Sequence, residues 1–308
     1  MLRFDNGGLL VETTTELPTP QPGRVTLDLE TTSGHRQLTS LNPWHHCGIA
    51  GIALTYDKEA WYVPVNGDLP WVTIKFWLQQ VLNQTRAWIN HNIKYDAHVL
   101  INHGLRVTCE LIDTLTLAKI IDSDRLMRGG YGLDALCKTW LGEESGKQGR
   151  RKDAYLKGCK SKDYGCVPID IMGEYACQDV LITRRLYRYI QEKMPEQCEG
   201  VRDTEIALTS TLVNMEQRGI VVDLPRVKQV QLAALTSMVQ TEQNIHEKVG
   251  FPIRPHVNAD CFDLLCNHHG LPILGYTKDN NPSFDADILK SYLRYPQVVE
   301  STQLTELI

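Results

Sequence analysis

Apolar positions between residues 24 and 193 recur with two different periods. From Arg24 to Glu30, apolar and polar residues alternate, which is typical of a strand. The segment 169–193 is typical of one long helix that stops before Pro195. The same analysis predicts strands at 24–30, 48–55, 60–65 and 86–90, and helices at 72–82, 94–103, 111–121, 133–141 and 169–193. Strands first and helices after them, with crossovers between, predict an α/β fold with a mixed sheet flanked by helices.

The pattern changes near residues 195–203. Beyond this point the apolar positions predict helices at 203–217, 224–249, 258–269 and 285–292, with a short extended piece at 220–222 and no set of strands. We therefore predict two domains, 1–198 and 199–308, the second mostly α-helical. The polar, glycine-rich and basic segment 144–168 receives no regular element.

Composition and charge argue against a membrane protein, a secreted protein and a protein that binds nucleic acid through its overall charge. The 308 residues carry a net charge of −5, so nucleic acid can be contacted only through a local basic patch. No apolar run approaches the length of a membrane span, and the first twenty residues lack the basic start of a signal peptide. We expect a cytoplasmic protein with no membrane partner. The nine cysteines are scattered without a close pair, which favours reduced thiols over a zinc site.

Asp28 and Glu30 lie two positions apart on the first long strand, which places both carboxylates on one face. Two neighbouring carboxylates repel each other and need a cation between them. A hard divalent ion is the natural guest. A solvated strand end is the alternative explanation.

Two further carboxylates lie at helix positions. Asp96 lies in the first turn of a predicted helix, where the helix dipole alone would also favour it. Asn92 precedes that helix and is a candidate cap or backbone-contacting amide. Tyr175 and Asp179 are four apart on the long helix and so share a face, although a surface Asp beside a half-buried Tyr would have the same spacing.

The order of these pieces resembles the 3′–5′ exonuclease family called DEDDy. Its motifs match Asp28 and Glu30, then Asn92 and Asp96, then the pair on the long helix; segments 60–64, 113–118 and 131–136 also resemble it. The resemblance covers roughly 24–193. It implies a ribonuclease H-like mixed sheet flanked by helices, also called the DnaQ-like exonuclease fold.

The second half resembles one branch of that family. Segments 212–223, 257–266, 270–272 and 281–285 resemble the start of the thumb in family A DNA polymerases. The palm and fingers are absent, because the one fingers-like candidate at Tyr164 has Leu156 and Lys152 where the pattern requires Lys and Arg. We expect no polymerase activity from this chain alone, and a truncated or split polymerase, with a phage as its suggested source.

The resemblance also implies a mechanism. Asp28 would bridge two Mg²⁺ or Mn²⁺ ions, Glu30 and Asp179 would bind the first ion, and Asp96 would hold the second. Tyr175, with Glu30, would orient the attacking water. The products would be nucleoside 5′-monophosphates and a shortened DNA strand, as in proofreading.

Substrate contacts come from two sources. The resemblance implies that Thr31 and Asn92 contact the terminal nucleotide. Residues 146–163 carry seven Lys/Arg against two Asp, and Arg150, Arg151 and Lys152 are candidate phosphate contacts for a single strand. A solvated loop is the other explanation of this charge run.

Three functions stay open at the level of sequence. The first is the DNA exonuclease, with a single-stranded 3′ end as its partner. The second is a non-cutting module that guides a primer or docks a separate chain carrying the polymerase palm and fingers. The third is an RNA-trimming exonuclease like ribonuclease D, for which a 2′-OH preference would be needed.

Overall fold

The computed structural model describes residues 2–4, 7–33, 43, 47–142, 146–160, 163–250 and 253–301. The chain divides into two compact units, Met1–Gly219 and Ile220–Ile308. This division lies about one helix later than the boundary predicted at residue 198. The reason is that the helix Glu199–Arg218 packs against the first unit. Its Val213 belongs to the main core cluster of that unit, and its Glu216 forms ion pairs with Lys94 and His98.

The first unit is built on a seven-stranded mixed sheet. The strands are β1 (Leu2–Arg3), β2 (Leu9–Leu10), β3 (Gly23–Thr32), β4 (Gly48–Thr55), β5 (Ala60–Pro64), β6 (Thr85–Asn90) and β7 (Glu110–Asp113). Their order in the sheet is β1-β2-β5-β4-β3-β6-β7, so that β3 lies between an antiparallel neighbour, β4, and a parallel one, β6. The predicted fold class is confirmed, with helices packed on the sheet.

In the described part of the first unit there are seven α-helices, together with short 3-10 and π turns. The long helix of the sequence analysis is confirmed with the bounds predicted for it. The helices are α1 (Trp71–Gln84), α2 (Ile93–Asn102), α3 (Thr114–Ile121), α4 (Leu133–Leu136, continued by a π turn, Cys137–Leu141), α5 (Gly146–Gly158), α6 (Ile169–Lys193) and α7 (Glu199–Arg218).

Two sequence predictions were wrong in this unit. The helix predicted at 111–121 is a strand, β7, followed directly by α3. Asp113 ends the strand and caps the helix, because its Oδ1 accepts the Leu115 N–H at 2.9 Å. The basic segment 144–168, for which the sequence predicted no regular element, contains helix α5. Its buried residues Lys152 and Leu156 are four positions apart and share a face of the helix.

Both faces of strand β3 are buried, which decides where its carboxylates lie. Val25, Leu27 and Leu29 pack in one core cluster with α1 and α2. On the opposite face, Asp28 is in register with Ala53, which packs against residues of α6. Helix α6 therefore covers the face that carries Asp28 and Glu30.

Gly51 makes the close approach on that face possible. A Cβ atom at Gly51 would lie 2.1 Å from Tyr62 Oη, so the tyrosine ring occupies the space of a side chain. We expect Gly51→Ala to lower the free energy of unfolding by about 1–3 kcal/mol, because the ring and its neighbours must shift in a packed core. Denaturant titration measures this change. Gly200→Ala is the control, since a Cβ there meets nothing within 4 Å; an equal loss in both variants would contradict the packing argument.

The second unit is helical in its described residues, apart from an isolated bridge between Tyr276 and Pro282. Its core contains Ile245, Leu265, Phe284 and Tyr292, among others. The predicted mostly helical character is confirmed, and the helix predicted at 224–249 has those bounds. Its elements are α8 (Leu224–Val249), α9 (Asn258–Phe262), a π turn (Asp263–His268), α10 (Ala286–Ser291) and α11 (Pro296–Val299). Among the described residues, none of the helices has the length and apolar character that crossing a bilayer requires.

Candidate active site

Strand β3 supplies two carboxylates to the face beneath α6. The side chain of Glu30 is 3% exposed, and its Oε1 is a buried oxygen without a hydrogen-bond partner. Asp28 is more accessible and accepts a hydrogen bond from Asn90 Nδ2 at 3.0 Å. The alternation of the strand thus places both carboxylates together, as the sequence predicted.

Asp96 reaches the same place from helix α2. Strand β6 ends at Asn90, and Asn92 adopts a left-handed conformation (φ 64°) that turns the chain into the helix. Asp96 Oδ1 then accepts the Leu29 N–H at 3.2 Å, and its Oδ2 accepts from Asn90 Nδ2 at 3.0 Å. The Asn90 amide therefore links the carboxylates of Asp28 and Asp96.

Tyr175 and Asp179 come from helix α6, one turn apart. The Tyr175 hydroxyl and the Asp179 carboxylate are hydrogen-bonded to each other. Glu30 lies close to both side chains: its charge raises the pKa of Tyr175, and the charge of Asp179 raises the pKa of Glu30. All five side chains predicted from the three motifs lie at one site.

Burial of four carboxylates in one place raises their pKa values. Desolvation, followed by the charges of neighbouring carboxylates, raises the pKa of Glu30 and that of Asp96 well above their usual ranges. Desolvation also raises the pKa of Asp28 to about 6 and that of Asp179 to about 7. Repulsion among the four negative charges destabilises the site while all four groups are ionised, and bound cations would reduce that repulsion.

The residues fit divalent ions in their chemistry. Carboxylate oxygens are the ligands that Mg²⁺ and Mn²⁺ prefer. The buried Glu30 oxygen has no hydrogen-bond partner and is therefore available as a metal ligand. Within the residues that the structure describes, no three His, Cys, Asp or Glu side chains are arranged so that they could together hold a metal ion. The site therefore offers oxygen ligands from three elements rather than a finished cage.

The residues predicted to contact substrate lie in different surroundings. Thr31 is buried, and its hydroxyl is hydrogen-bonded to the Tyr95 hydroxyl at 3.2 Å. Asn92 is exposed; its side chain caps no helix, and its backbone N–H donates to Asp113 Oδ1 at 2.8 Å. Both positions lie near Asp96, and their contact with a nucleotide remains a prediction.

Of the three basic candidates, Arg151 and Lys152 have described side chains, and these two lie in different surroundings. The side chain of Arg150 lies outside the described residues. Arg151 is exposed and forms an ion pair with Glu174. Lys152 is buried and points into the carboxylate site, where its Nζ lies 3.7 Å from the centre of the Tyr175 ring.

Sequence reasoning missed two side chains of the site, Asn90 and Tyr95. It named Lys152 as a surface phosphate contact and did not anticipate its inward direction. Asn90 is the polar residue that ends an apolar strand parallel to β3, and this position could have indicated a site residue. The direction of Lys152 had no such signal, because its segment was not identified as a helix.

Comparison with known proteins agrees with this geometry. The sequence matches the DNA polymerase A exonuclease family, described as 3′–5′ exonuclease, over residues 12–195. It is 26% identical to "DNA polymerase DpoZ" of Salmonella phage PMBT28, over 71% of this chain and 37% of that protein. It is 25% identical to the "DNA polymerase" of Escherichia phage T5, over 84% of this chain and 34% of that protein. The alignments thus span little more than a third of these relatives.

A solved structure shows the same fold. The POL domain of Pol1 from M. smegmatis, in complex with DNA primer-template and dNTP, matches with a TM-score of 0.56 and 17% identity, over 97% of this chain and 47% of that one. Exonuclease domains of this kind are nuclease-type hydrolases that generally use divalent metal ions. With the family matched across more than half its length, the chain belongs to the 3′–5′ exonuclease domain family of family A DNA polymerases.

Proposed function

We propose that this chain is a two-metal-ion 3′–5′ exonuclease that shortens DNA from a single-stranded 3′ end and releases nucleoside 5′-monophosphates. The convergence of Asp28, Glu30, Asp96 and Asp179 in one buried site carries the proposal. Their raised pKa values and the Glu30 oxygen without a partner favour a site built for cations. Proofreading for a polymerase is the proposed role.

The chain's own residues divide the work. Asp28, Glu30 and Asp179 would hold one ion, and Asp28 with Asp96 would hold the other. Two bound Mg²⁺ or Mn²⁺ ions supply a water activated near neutral pH and neutralise charge on the leaving 3′ oxygen. Tyr175 and Glu30 would orient the attacking water through hydrogen bonds. Burial of the Tyr175 hydroxyl beside Asp179 raises its pKa, so it acts in its neutral form.

The strand end would lie against the exposed side of these carboxylates. Thr31 and Asn92 are proposed to contact the terminal nucleotide. Arg150 and Arg151 are proposed to contact the backbone phosphates. Arg151 would then exchange its ion pair with Glu174 for a phosphate, a bidentate partner that suits its guanidinium group.

The second unit is proposed to be the start of a polymerase thumb. The alignment with the T5 polymerase covers 84% of the chain, so it must extend beyond residue 195, where the match to the exonuclease family ends. A palm and fingers on a separate chain are the proposed partner. The proposed location is the cytoplasm, or the host cytoplasm for a phage protein.

A gel assay of the purified chain tests the function. The substrates are a 5′-labelled single-stranded DNA and an RNA of the same sequence, with Mg²⁺ or with EDTA. Stepwise shortening of the DNA that EDTA abolishes is the expected result. Faster shortening of the RNA would favour the ribonuclease D-like alternative. Intact substrates at saturating Mg²⁺ and Mn²⁺ would overturn the exonuclease and favour the non-cutting module.

A further inference from the structure

Helix α5 inserts a lysine into the carboxylate site. Lys152 is 5% exposed, although it belongs to the most basic segment of the chain. Leu156, one turn later, is buried on the same side of the helix. Lys152 Nζ donates a hydrogen bond to the Tyr164 hydroxyl at 3.0 Å. The ammonium group is thus fixed in place rather than extended into solvent.

The ammonium group lies between two aromatic rings. Its Nζ is 3.7 Å from the centre of the Tyr175 ring and 4.4 Å from that of the Tyr164 ring. Both distances are within the range of a cation–π interaction. Tyr175 is thereby held from one side by Lys152, while its hydroxyl is hydrogen-bonded to Asp179.

The charge of Lys152 also acts on the carboxylates. Its attraction favours the ionised forms of Asp28, Glu30 and Asp179 and so opposes the effect of burial. A buried lysine needs such partners, because its ammonium group loses its hydrating water on burial. Without nearby negative charges or hydrogen-bond acceptors, nothing would offset that cost in free energy. The lysine and the carboxylates therefore stabilise each other while no metal is bound.

We infer that Lys152 is a positioning residue of the catalytic site, which holds the Tyr175 ring in place. This role rests on the proposed exonuclease function and differs from contact with backbone phosphate on the surface. The charge of Lys152 has two opposite effects on metal binding, because it repels an incoming cation and also favours the ionised carboxylates that would bind that cation. Turnover, rather than metal affinity, therefore reports on the role of Lys152.

The inference predicts a loss of turnover with little change in metal affinity. In Lys152→Met, Mn²⁺ binding stays within about threefold of wild type, because the lost repulsion of the cation and the weaker ionisation of its carboxylate ligands oppose each other. Turnover (kcat) falls by about 100-fold, because Tyr175 loses its support, while KM for DNA changes little. A purely structural role would weaken both metal binding and turnover. A phosphate-contact role would raise KM instead.

The experiment uses the full chain and three variants. Mn²⁺ binding is measured by electron paramagnetic resonance, kcat and KM on single-stranded DNA, and stability by thermal unfolding. Lys152→Arg keeps the charge and is expected to hold Mn²⁺ affinity within about threefold of wild type. Lys157→Met is the matched control on the exposed side of the same helix and should change neither quantity.

The outcomes separate this inference from the proposed function. Wild-type turnover in folded Lys152→Met overturns the inference, and so does Mn²⁺ binding weakened by more than about tenfold, which would indicate a purely structural role. If wild type binds Mn²⁺ but leaves DNA intact, the proposed function fails, and the role of Lys152 is decided by near-ultraviolet circular dichroism: a tyrosine signal that Lys152→Met leaves unchanged overturns the inference. If Lys152→Met does not fold, Lys152→Arg decides: a loss of kcat above about tenfold contradicts the cation–π argument, and retained kcat supports it.

Discussion

Asp179→Asn is expected to reduce DNA hydrolysis by about 10²- to 10³-fold, a loss typical of removing a group that stabilises charge in the transition state. Asp179 belongs to a set of four carboxylates, so the amide removes one negative charge from the proposed metal ligands. The amide keeps the shape of the side chain and a hydrogen bond to Tyr175. We therefore expect the fold to persist and the catalytic rate to fall.

The control for this prediction lies on the same helix. Glu192→Gln makes the same kind of change, from carboxylate to amide, at an exposed position in the last turn of α6. Its hydrolysis rate should remain within about twofold of wild type, because surface charges contribute little. Rates are compared on single-stranded DNA at saturating Mg²⁺, with thermal unfolding as the check on folding. Hydrolysis by Asp179→Asn at the wild-type rate would contradict the metal assignment.

Local periodicity was sufficient to predict the elements that carry the carboxylates. In β3 the alternation that buries Val25 and Leu27 also fixes the opposite face for Asp28 and Glu30. In α6 the spacing of four fixes Tyr175 and Asp179 on one face. Each relation is set by the geometry of a single element, so no knowledge of the rest of the fold is needed.

Contacts between distant segments decided what sequence reasoning missed. The apolar run at 111–121 contains a four-residue buried strand that continues directly into a helix, and periodicity alone does not distinguish the two. Lys152 faces inward because α5 packs against α6, a contact that charge patterning does not show. Helix α7 joins the first unit through Val213 and Glu216, which meet residues far away in the sequence.

The metal-free protein is expected to lose stability as pH rises from about 4 to about 7. The pKa of Asp28 is about 6 in the folded protein and that of Asp179 about 7, both above the ordinary aspartate value of 3.8. In this window the folded state binds more protons than the unfolded state, so the free energy of unfolding falls with rising pH. The stabilisation is fully present below about pH 4 and lost above about pH 7. The two groups together correspond to at most about 7 kcal/mol.

Other groups titrate with the opposite sign, so the comparison must isolate these two carboxylates. Burial lowers the pKa of His91 to about 4, and this group stabilises the fold as pH rises. The double variant Asp28→Asn with Asp179→Asn retains His91 but lacks the carboxylates of Asp28 and Asp179.

The measurement is denaturant unfolding in EDTA between pH 4.5 and 8, taken as the difference in the free energy of unfolding between wild type and this variant. That difference should fall with rising pH, because only wild type must ionise Asp28 and Asp179, whereas both proteins retain Glu30 and Asp96. Saturating Mn²⁺ at pH 8 should then stabilise wild type more than the variant, by about 2–3 kcal/mol at a hundredfold excess over Kd. A difference that stays level with pH would mean that Asp28 and Asp179 ionise as freely in the folded protein as in water, and the electrostatic argument for a cation site would fail.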